Sequence, residues 1–377
     1  MKSIAHLAAA LIAAFLLQST SLFGQGFPRE AFSAPKVNPD NSVSFSVYAP
    51  SANEVSVNIM SKNHPMKRDA EGTWTITVPS VKHGFQGYTI SIDGVGVLNP
   101  VGGIFSGYGR HLNAVEIPED GCEDFYIQDI PHGTVTTIRF LSDVAKEWRE
   151  ALVYTPYGYA SSKKKYPVLY LQHGGGEDQT GWFSQGLAVN ILDNAIAAGK
   201  AVPMIVVCAN GNVPGGTQYT WEGTEKFRQE LLENVIPAVE RNFRVKNDRK
   251  GRALAGLSMG GGQSFYAGLR NPDVFGSVGV FSAGLFSGFG RESEVDFETE
   301  IPGMISDTKE FNKNLDVFMM SCGEEDERIT NTTKKVAEMK AAGVNVIWKT
   351  YPGDHEWQVW RKSFRDFIHL RFRLKCM

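Results

Sequence analysis

The stretch "RALAGLSMGGGQS", residues 252–264, decides the fold class because it joins a strand-like apolar run to a helix-like segment through a glycine-rich turn. Ser258 lies at the junction, inside a G-x-S-x-G pattern whose glycines are Gly256 and Gly260. A strand that turns abruptly into a helix crowds its own backbone, so residues without Cβ leave room for the serine to project. The following helix N-terminus also favours developing negative charge. The stretch predicts a nucleophilic serine on a sharp turn, although a bend without chemistry gives the same pattern.

From Gly133 onward, apolar strand-like runs alternate with amphipathic helix-like segments. The strand-like runs are "PVLYLQH", "PMIVVCAN", "RALAGLS", "SVGVFSA", "DVFMMSCG" and "VNVIWKTYPG". This alternation is typical of a mainly parallel sheet with helices on both faces. Two earlier runs, "TVTTIRFLS" and "REALVYTPYG", are expected to form antiparallel strands at one edge of that sheet. The predicted fold class of this part is α/β.

The part of the chain before this region has a different texture. Residues 27–118 contain short alternating runs such as "SVSFSVYAP" and "GTWTITVP" separated by turn signals, which indicates a small immunoglobulin-like β-sandwich. Residues 119–132 are rich in Gly, Pro and acids and are predicted to be a linker. A length of 377 residues agrees with two domains. The α/β domain is then expected over 133–377.

Residues 1–25 have the features of a secretory signal peptide. Lys2 supplies the positive end, "IAHLAAALIAAFLL" is the apolar region, and "QSTSLFGQG" is a small and polar cleavage zone. A membrane anchor is the alternative, but the apolar run is shorter than about 18 residues and is interrupted by His6. We expect an exported protein, periplasmic or extracellular, without a membrane span.

Charge and cysteine usage exclude several classes of partner. A formal net charge of -3 provides no broad basic field, which argues against nucleic acid or an anionic membrane as the main partner. The four cysteines follow no metal-ligand spacing, so we predict no metal and no cofactor. Cys208 and Cys322 lie on apolar runs and are predicted to be core residues, while one disulfide in an exported protein is left open.

Two further strand ends supply polar side chains that match Ser258. In a parallel α/β sheet, sites gather at the carboxyl ends of the strands. His355, in "YPGDHEW", follows the last predicted strand, where the chain order Ser, acid, His predicts a general base. The strand before it ends in "SCGEEDER", and we select Asp326 as the acid, with Glu325 as the main alternative.

An acyl-transfer site also needs hydrogen-bond donors for an oxyanion. "YLQHGGGEDQTGW" follows the strand "PVLYL" and offers backbone N–H groups with no side chain in the way. We assign Gly175 as one donor and Met259 as the second, with Gly174 as the alternative to Gly175. His173 is expected to order this loop. The triple glycine is not a nucleotide-binding loop, because no Gly-Lys-Ser/Thr follows it.

Four further residues are candidates for the substrate pocket because they lie on or beside loops at the same end of the sheet. Aromatic members of the group could stack on a ring of the substrate, although each residue is equally compatible with a place in the core. The candidates are Trp182, Trp221, Gln263 and Trp357.

With these residues in hand, residues 133–372 resemble carbohydrate esterase family 1, the feruloyl and acetylxylan esterases of the α/β-hydrolase superfamily. The matching segments are "YPVLYLQHGGGEDQTGW", "LLENVIPAVERNFRV", "ALAGLSMGGGQS", "SCGEED" and "YPGDHEWQVWRKSFRDF". The resemblance implies an α/β-hydrolase fold. It also implies these roles: nucleophile Ser258, acid Asp326, base His355, and oxyanion donors Gly175 and Met259.

The N-terminal stretch resembles the glycogen-binding, early-set type of β-sandwich that is often fused to such esterases. Its aromatic residues Trp74, Tyr88 and Tyr108 are candidate sugar contacts. More often, a domain of this type packs against the catalytic domain without binding sugar by itself.

The resemblance implies an exported esterase that removes feruloyl or acetyl groups from plant-wall polysaccharide such as xylan, or from oligosaccharides derived from it. A siderophore esterase of the enterochelin type is the nearest alternative. An acyltransferase and a glycan-binding protein with an inert hydrolase domain are further alternatives. The signal-like N-terminus and the absence of a strongly basic composition favour the carbohydrate substrate over a ferric chelate.

Overall fold

The structure is a computed structural model that describes residues 31–216, 220–283 and 296–371. The chain divides into two compact units, the first up to Lys82 together with Gly87–Gly103, and the second comprising His83–Gln86 and everything from Ile104. The predicted signal peptide and Cys376 lie outside the described residues.

The first unit is built from short antiparallel strands. One sheet has the order β1-β2-β6-β5, and a second contains β4-β3-β7 with β8 paired to β7. The strands are β1 Lys36–Val37, β2 Val43–Tyr48, β3 Val55–Ile59, β4 Lys62–Pro65, β5 Lys67–Arg68, β6 Thr73–Val78, β7 Gly84–Ile92 and β8 Val95–Val97. Strict alternation of buried and half-buried residues along β2 shows why the sheet has one apolar face. The predicted β-sandwich is confirmed.

Two of the three aromatic residues considered as sugar contacts belong to the core of this unit. Trp74 is 8% exposed, and its indole N–H donates to the carbonyl of Ala49 at 3.0 Å. Tyr88 is 3% exposed and meets Phe45 edge to face, with ring centroids 5.0 Å apart. Their place in the alternating pattern directs both side chains inward, so neither is available to a glycan.

The second unit is organised by an eight-stranded sheet with the order β11-β12-β14-β13-β15-β16-β17-β18. The strands from the preceding segment and from this sheet are β9 Gly103–Gly107, β10 Arg110–Ile117, β11 Thr134–Ser142, β12 Glu147–Thr155, β13 Val168–Gln172, β14 Ile205–Ala209, β15 Arg252–Leu257, β16 Ser277–Phe281, β17 Val317–Gly323 and β18 Ile347–Tyr351. Strands β13 to β18 are parallel, while β11 and β12 form an antiparallel edge. This is the predicted α/β arrangement: the two early runs form β11 and β12, which pair as an antiparallel hairpin without a helix between them.

Helices cover both faces of this sheet. They are α1 Ala188–Ala197, α2 Trp221–Glu230, α3 Ile236–Asn242, α4 Ser258–Leu269, α5 Phe297–Glu300, α6 Thr308–Lys313, α7 Ile329–Ala341 and α8 Trp357–Arg371, and a π-helical segment, Leu231–Val235, joins α2 to α3. Residues of α1 and α8 share one buried cluster with β13 and β16, and residues of α2 and α3 share another with β14 and β15. No helix among the described residues is both long and apolar enough to cross a membrane.

The predicted bounds, 27–118 for the sandwich and 119–132 for a linker, stay predictions. Residues 104–132 group with the second unit, and β9 and β10 continue the sheet that contains β7. Within them, Cys122 and Phe125 are 4% and 1% exposed and join the same buried cluster as α1. Apolar side chains of this Gly- and Pro-rich segment therefore pack into the core of the second unit.

The three cysteines in the described residues are reduced and buried. They are Cys122, Cys208 and Cys322. Burial raises the pKa of the Cys208 thiol well above its usual value, so this side chain stays a neutral core residue, as predicted.

Trp182, predicted as a pocket candidate, is a core residue. It is 0% exposed, its indole N–H donates to the carbonyl of Gln172 at 2.7 Å, and the rings of Trp357 and Phe364 lie within 5.4 Å of its centroid. The Trp182 side chain points into the protein, where it hydrogen bonds to the last residue of β13, and a substrate cannot reach it.

We expect Trp182→Ala to lower the free energy of unfolding by about 3–5 kcal/mol, because it removes a large buried ring and leaves a cavity. Trp148→Ala is the matched control: this tryptophan is 70% exposed, and its removal should change stability by less than about 0.5 kcal/mol. Urea unfolding followed by circular dichroism measures both. Equal stabilities of the two variants would contradict the core position of Trp182.

Candidate active site

Ser258 stands on a strained turn between β15 and α4. Its φ is 51°, in the left-handed region that residues with a side chain rarely adopt, and α4 begins at the serine itself. A Cβ on Gly256 would lie 2.4 Å from the carbonyl oxygen of Gly260, and a Cβ on Gly260 would lie 2.4 Å from that of His173. The two glycines are therefore required by close backbone contact, which is the geometry expected of a G-x-S-x-G turn.

The structure brings Ser258, His355 and Asp326 into one hydrogen-bonded chain. Nε2 of His355 lies 2.9 Å from Oγ of Ser258, and Nδ1 lies 2.7 Å from Oδ2 of Asp326. Each residue follows the carboxyl end of a different parallel strand, respectively β15, β18 and β17. Among the acids after β17, Glu324 and Glu325 are exposed and only Asp326 is buried against the histidine.

The protonation states in this chain follow from its hydrogen bonds. Burial acts to raise the pKa of Asp326, but the hydrogen bond from His355 and those from the backbone and guanidinium of Arg328 outweigh it and hold the pKa well below its usual range. An ionised Asp326 can only accept, so Nδ1 of His355 donates to it and Nε2 is left to accept from the serine hydroxyl. The arrangement can withdraw a proton from Oγ of Ser258.

Arg328 was not identified from the sequence. Its Nη1 lies 3.0 Å from Oδ1 of Asp326, and its backbone N–H donates to the same oxygen at 3.0 Å. It occupies the oxygen that His355 does not use, so the carboxylate is held in one orientation. The only sequence signal is a basic residue two positions after the acid.

The glycine loop after β13 lies against the serine. A Cβ on Gly174 would meet Cβ of Ser258 at 3.5 Å. Nε2 of His173 accepts from the backbone N–H of Gly211 at 2.9 Å, so its Nδ1 donates to the carbonyl of Gly174 at 2.7 Å. Burial lowers the pKa of His173, which keeps the ring neutral in this role. His173 thus orders the loop that carries Gly175, as predicted.

Glu177 is a second residue that the sequence did not single out. Its Oε2 accepts from the backbone N–H of Gly174 at 2.9 Å, and the side chains of Trp357 and Gln185 also hydrogen bond to it. Burial raises the pKa of Glu177 to about 7, and its hydrogen bonds only partly offset that effect. A carboxyl that changes charge near neutral pH therefore braces the glycine loop. The acid directly after "GGG" was the available signal.

The remaining pocket candidates have different environments. Trp357 is 5% exposed and packs edge to face on Trp182 and Trp360, so it is a core residue that hydrogen bonds to Glu177. Gln263 is 4% exposed and donates to the carbonyl of Gly211 at 2.9 Å. It supports the Gly211 backbone and is not open to a ligand. These side chains point inward because they lie on the buried faces of α8 and α4.

Trp221, the fourth candidate, begins α2 and is half-buried. Its ring stacks at a tilt on Tyr266 of α4, with centroids 4.8 Å apart. A role for Trp221 in substrate contact stays a prediction. Within the part of the chain that the structure describes, no three His, Cys, Asp or Glu side chains are grouped as a metal site.

Comparison with known proteins places this geometry in a family. The Esterase family matches residues 142–370, and carbohydrate-binding module 48, the isoamylase N-terminal domain, matches residues 33–103. An endo-1,4-beta-xylanase/feruloyl esterase from Xylanibacter ruminicola is 34% identical over 354 residues, which cover 90% of this chain and 46% of that protein. The chain thus spans about half the length of this relative.

Solved structures give the same relationship. A CE1 ferulic acid esterase from Anaeromyces mucronatus, in complex with ferulic acid, is 27% identical with a TM-score of 0.56, covering 67% of this chain and 95% of that one. The enterobactin esterase from Shigella flexneri has a TM-score of 0.63 and covers 90% of this chain and 95% of its own. At 16% identity, that likeness extends to the fold alone.

The family match covers more than half of the chain and includes every residue of the hydrogen-bonded site. The resemblance to carbohydrate esterase family 1 is confirmed by the structural neighbours. The chain belongs to the Esterase family and has the α/β-hydrolase fold, with an N-terminal carbohydrate-binding module 48 domain.

Proposed function

We propose that this protein is an exported serine esterase that removes feruloyl or acetyl groups from plant-wall polysaccharide such as xylan. The observation that carries the proposal is the hydrogen-bonded chain from Oγ of Ser258 through His355 to buried Asp326. A serine hydroxyl is a weak nucleophile at neutral pH, and a neutral imidazole fixed by a carboxylate is the arrangement that activates it.

The reaction follows from these positions. Oγ of Ser258 attacks the ester carbonyl carbon while Nε2 of His355 takes the hydroxyl proton, and a tetrahedral intermediate forms. When the carbon–oxygen bond to the alcohol breaks, His355 returns that proton to the leaving oxygen. Water then attacks the acyl-enzyme with the same histidine as base, which releases the carboxylic acid and restores the serine. Asp326 stays ionised and stabilises the imidazolium at each step.

The oxyanion donors in this proposal are the backbone N–H groups of Gly175 and Met259. Met259 is the second residue of α4, where the N–H groups of the first turn have no partner within the helix. Gly175 lies in the loop that His173 and Glu177 hold against the serine. Each donor would contribute roughly 100-fold to 1,000-fold in rate.

The substrate class rests on the relatives. One similar protein is named a xylanase/feruloyl esterase, and similar solved structures are named ferulic acid esterases. A carbohydrate-binding module at residues 33–103 fits an enzyme that acts on a glycan, with feruloylated or acetylated oligosaccharides as smaller substrates. No metal, cofactor or nucleic acid is part of the proposal.

A substrate panel tests the proposal. The wild-type enzyme should release acid from methyl ferulate or from acetylated xylan, and much less from ferric enterobactin. Ser258→Ala should lower this release by at least about 10,000-fold, because the nucleophile is gone. Ser161→Ala, at an exposed serine, is the control and should keep wild-type activity.

Substantial turnover by Ser258→Ala would contradict the triad, and preference for enterobactin would favour siderophore hydrolysis. Ester transfer to excess alcohol would reveal an acyltransferase.

Glu177→Gln should change how stability depends on pH. The folded protein keeps the Glu177 proton up to about pH 7, whereas the unfolded chain loses it near 4.5, so wild-type stability falls as pH rises through that window. The glutamine keeps an acceptor for the N–H of Gly174 but cannot ionise. Relative to this variant, wild-type unfolding free energy should drop on the order of 1–3 kcal/mol across the window and level off above it.

Urea unfolding at a series of pH values measures this difference. Glu325→Gln, at an exposed carboxyl of the same site, is the control and should shift the curve by less than about 0.5 kcal/mol. Parallel curves for wild type and Glu177→Gln would show that the carboxyl does not titrate behind the loop.

Export is tested by the position of the mature N-terminus. The signal-like sequence at residues 1–25 predicts removal of that segment, so the secreted or periplasmic protein should begin between Gln25 and Phe27. Cell fractionation followed by N-terminal sequencing measures both points. A full-length cytoplasmic protein beginning at Met1 would contradict export.

A further inference from the structure

The tip of the hairpin formed by β9 and β10 presents an exposed aromatic residue on strained backbone. Tyr108 has a φ of 53°, which is unfavourable for a side chain of its size, and it is 85% exposed. Gly109, the next residue, also has a positive φ of 71°. Strained backbone conformations are concentrated at functional sites, because the surrounding fold must hold them against their local preference.

This tip is docked on the glycine loop of the active site. The backbone N–H of Gly109 donates to the carbonyl of Gly176 at 2.8 Å. A Cβ on Gly176 would lie 2.7 Å from the nitrogen of Gly109 and 2.9 Å from Cα of Tyr108, so the two backbones touch. Gly176 follows Gly175, the proposed oxyanion donor. The Tyr108 backbone therefore contacts the residue next to the proposed oxyanion donor.

Two further contacts hold the hairpin to the catalytic unit. The side-chain amide of Gln185 donates to the carbonyl of Ser106 at 2.7 Å. Arg361, which is 1% exposed, holds Glu116 of β10 through two parallel hydrogen bonds of 2.7 and 2.9 Å. A bidentate pair of this kind fixes orientation as well as distance. The hairpin is thus a rigid part of the site's surroundings.

Charged residues of the loops that carry Glu177 and His355 lie near the Tyr108 hydroxyl. Nearby protein atoms, and then the charges of Glu177, Asp354 and Glu356, raise the pKa of the Tyr108 hydroxyl. Asp354 and Glu356 flank His355 in the chain, whereas Glu177 lies behind the glycine loop. Tyr108 is thus an exposed residue whose backbone touches the glycine loop beside Ser258.

The position of Tyr108 determines which part of a substrate it can meet. Ser258 is 7% exposed, so the ester carbonyl must enter the protein to react, while a polysaccharide chain is too large to follow it. The sugars therefore remain at the rim, where Tyr108 stands. Aromatic rings with one apolar face and a polar edge are suited to pack on the apolar face of a sugar ring.

We propose that the Gly107–Gly109 turn presents Tyr108 as a sugar-stacking residue at the mouth of the active site, where it binds the glycan that carries the ester. The inference rests on the proposed action on plant-wall polysaccharide and adds the residue that recognises the sugar. Residues 104–141, which contain the hairpin tip, lie outside both matched family ranges, 33–103 and 142–370.

The experiment compares two substrates that differ in the sugar. Initial rates of ferulate release are measured on a feruloylated xylan oligosaccharide and on methyl ferulate, and kcat/KM for the first is divided by that for the second. Tyr108→Ala should lower this ratio about 3- to 10-fold, mainly through KM on the oligosaccharide, because it removes a stacking ring. Tyr108→Phe keeps the ring and should retain most of the ratio.

Tyr157→Ala is the matched control. Tyr157 is 70% exposed and follows β12. Because β12 runs antiparallel to β14, its carboxyl end lies at the end of the sheet opposite to the strand ends that carry Ser258. Its removal should leave the ratio at the wild-type value. A second measurement compares binding of the oligosaccharide by two inactive variants. Ser258→Ala should bind it about 3- to 10-fold more tightly than the double variant Ser258→Ala, Tyr108→Ala.

Each outcome decides between the two proposals. An unchanged ratio in Tyr108→Ala overturns the inference, as does an equal loss on both substrates, which would mean that Tyr108 acts on the ester or on the glycine loop. If the wild-type enzyme hydrolyses methyl ferulate but releases nothing from the oligosaccharide, action on polysaccharide itself fails and the inference fails with it.

Discussion

The close approach of the Ser258 turn to the loop after β13 is the contact on which the active site depends. The backbone of Gly260 reaches the carbonyl of His173 so closely that any Cβ there would overlap it. Only with this contact can α4 begin directly at the strand end and hold the serine at a φ of 51°. The same contact sets the glycine loop beside Ser258, so the proposed nucleophile and the proposed oxyanion donors are positioned by one piece of backbone packing.

Around this contact, the pKa values of two carboxyl groups, buried Asp326 and half-buried Glu177, are shifted in opposite directions. Asp326 is held ionised because His355 and Arg328 donate to it, and it can therefore fix the imidazole. The hydrogen bonds that Glu177 accepts only partly offset its burial, which raises its pKa to about 7. Environments that separate the pKa values of nearby acids are a common feature of catalytic sites. Here one acid serves the histidine and the other braces the loop.

The hairpin formed by β9 and β10 changes how the chain divides between its two units. It follows the carbohydrate-binding module range directly in the chain, yet Arg361 and Gln185 hold it to the catalytic unit. The segment after it packs Phe125 into the same core. This stretch groups with the second unit, its strands β9 and β10 also continue the sheet of β7, and it presents Tyr108 beside the glycine loop.

The sequence by itself determined the α/β class, the two antiparallel edge strands and the positions of Ser258 and His355 at strand ends, because hydrophobic periodicity and turn chemistry are local properties. Only the tertiary structure decided that Asp326 rather than its exposed neighbour Glu325 meets the histidine. It also moved Trp182 from the pocket to the core and brought Glu177 behind the loop. Burial and distance between segments far apart in the chain are set by packing, and no local pattern carries that information.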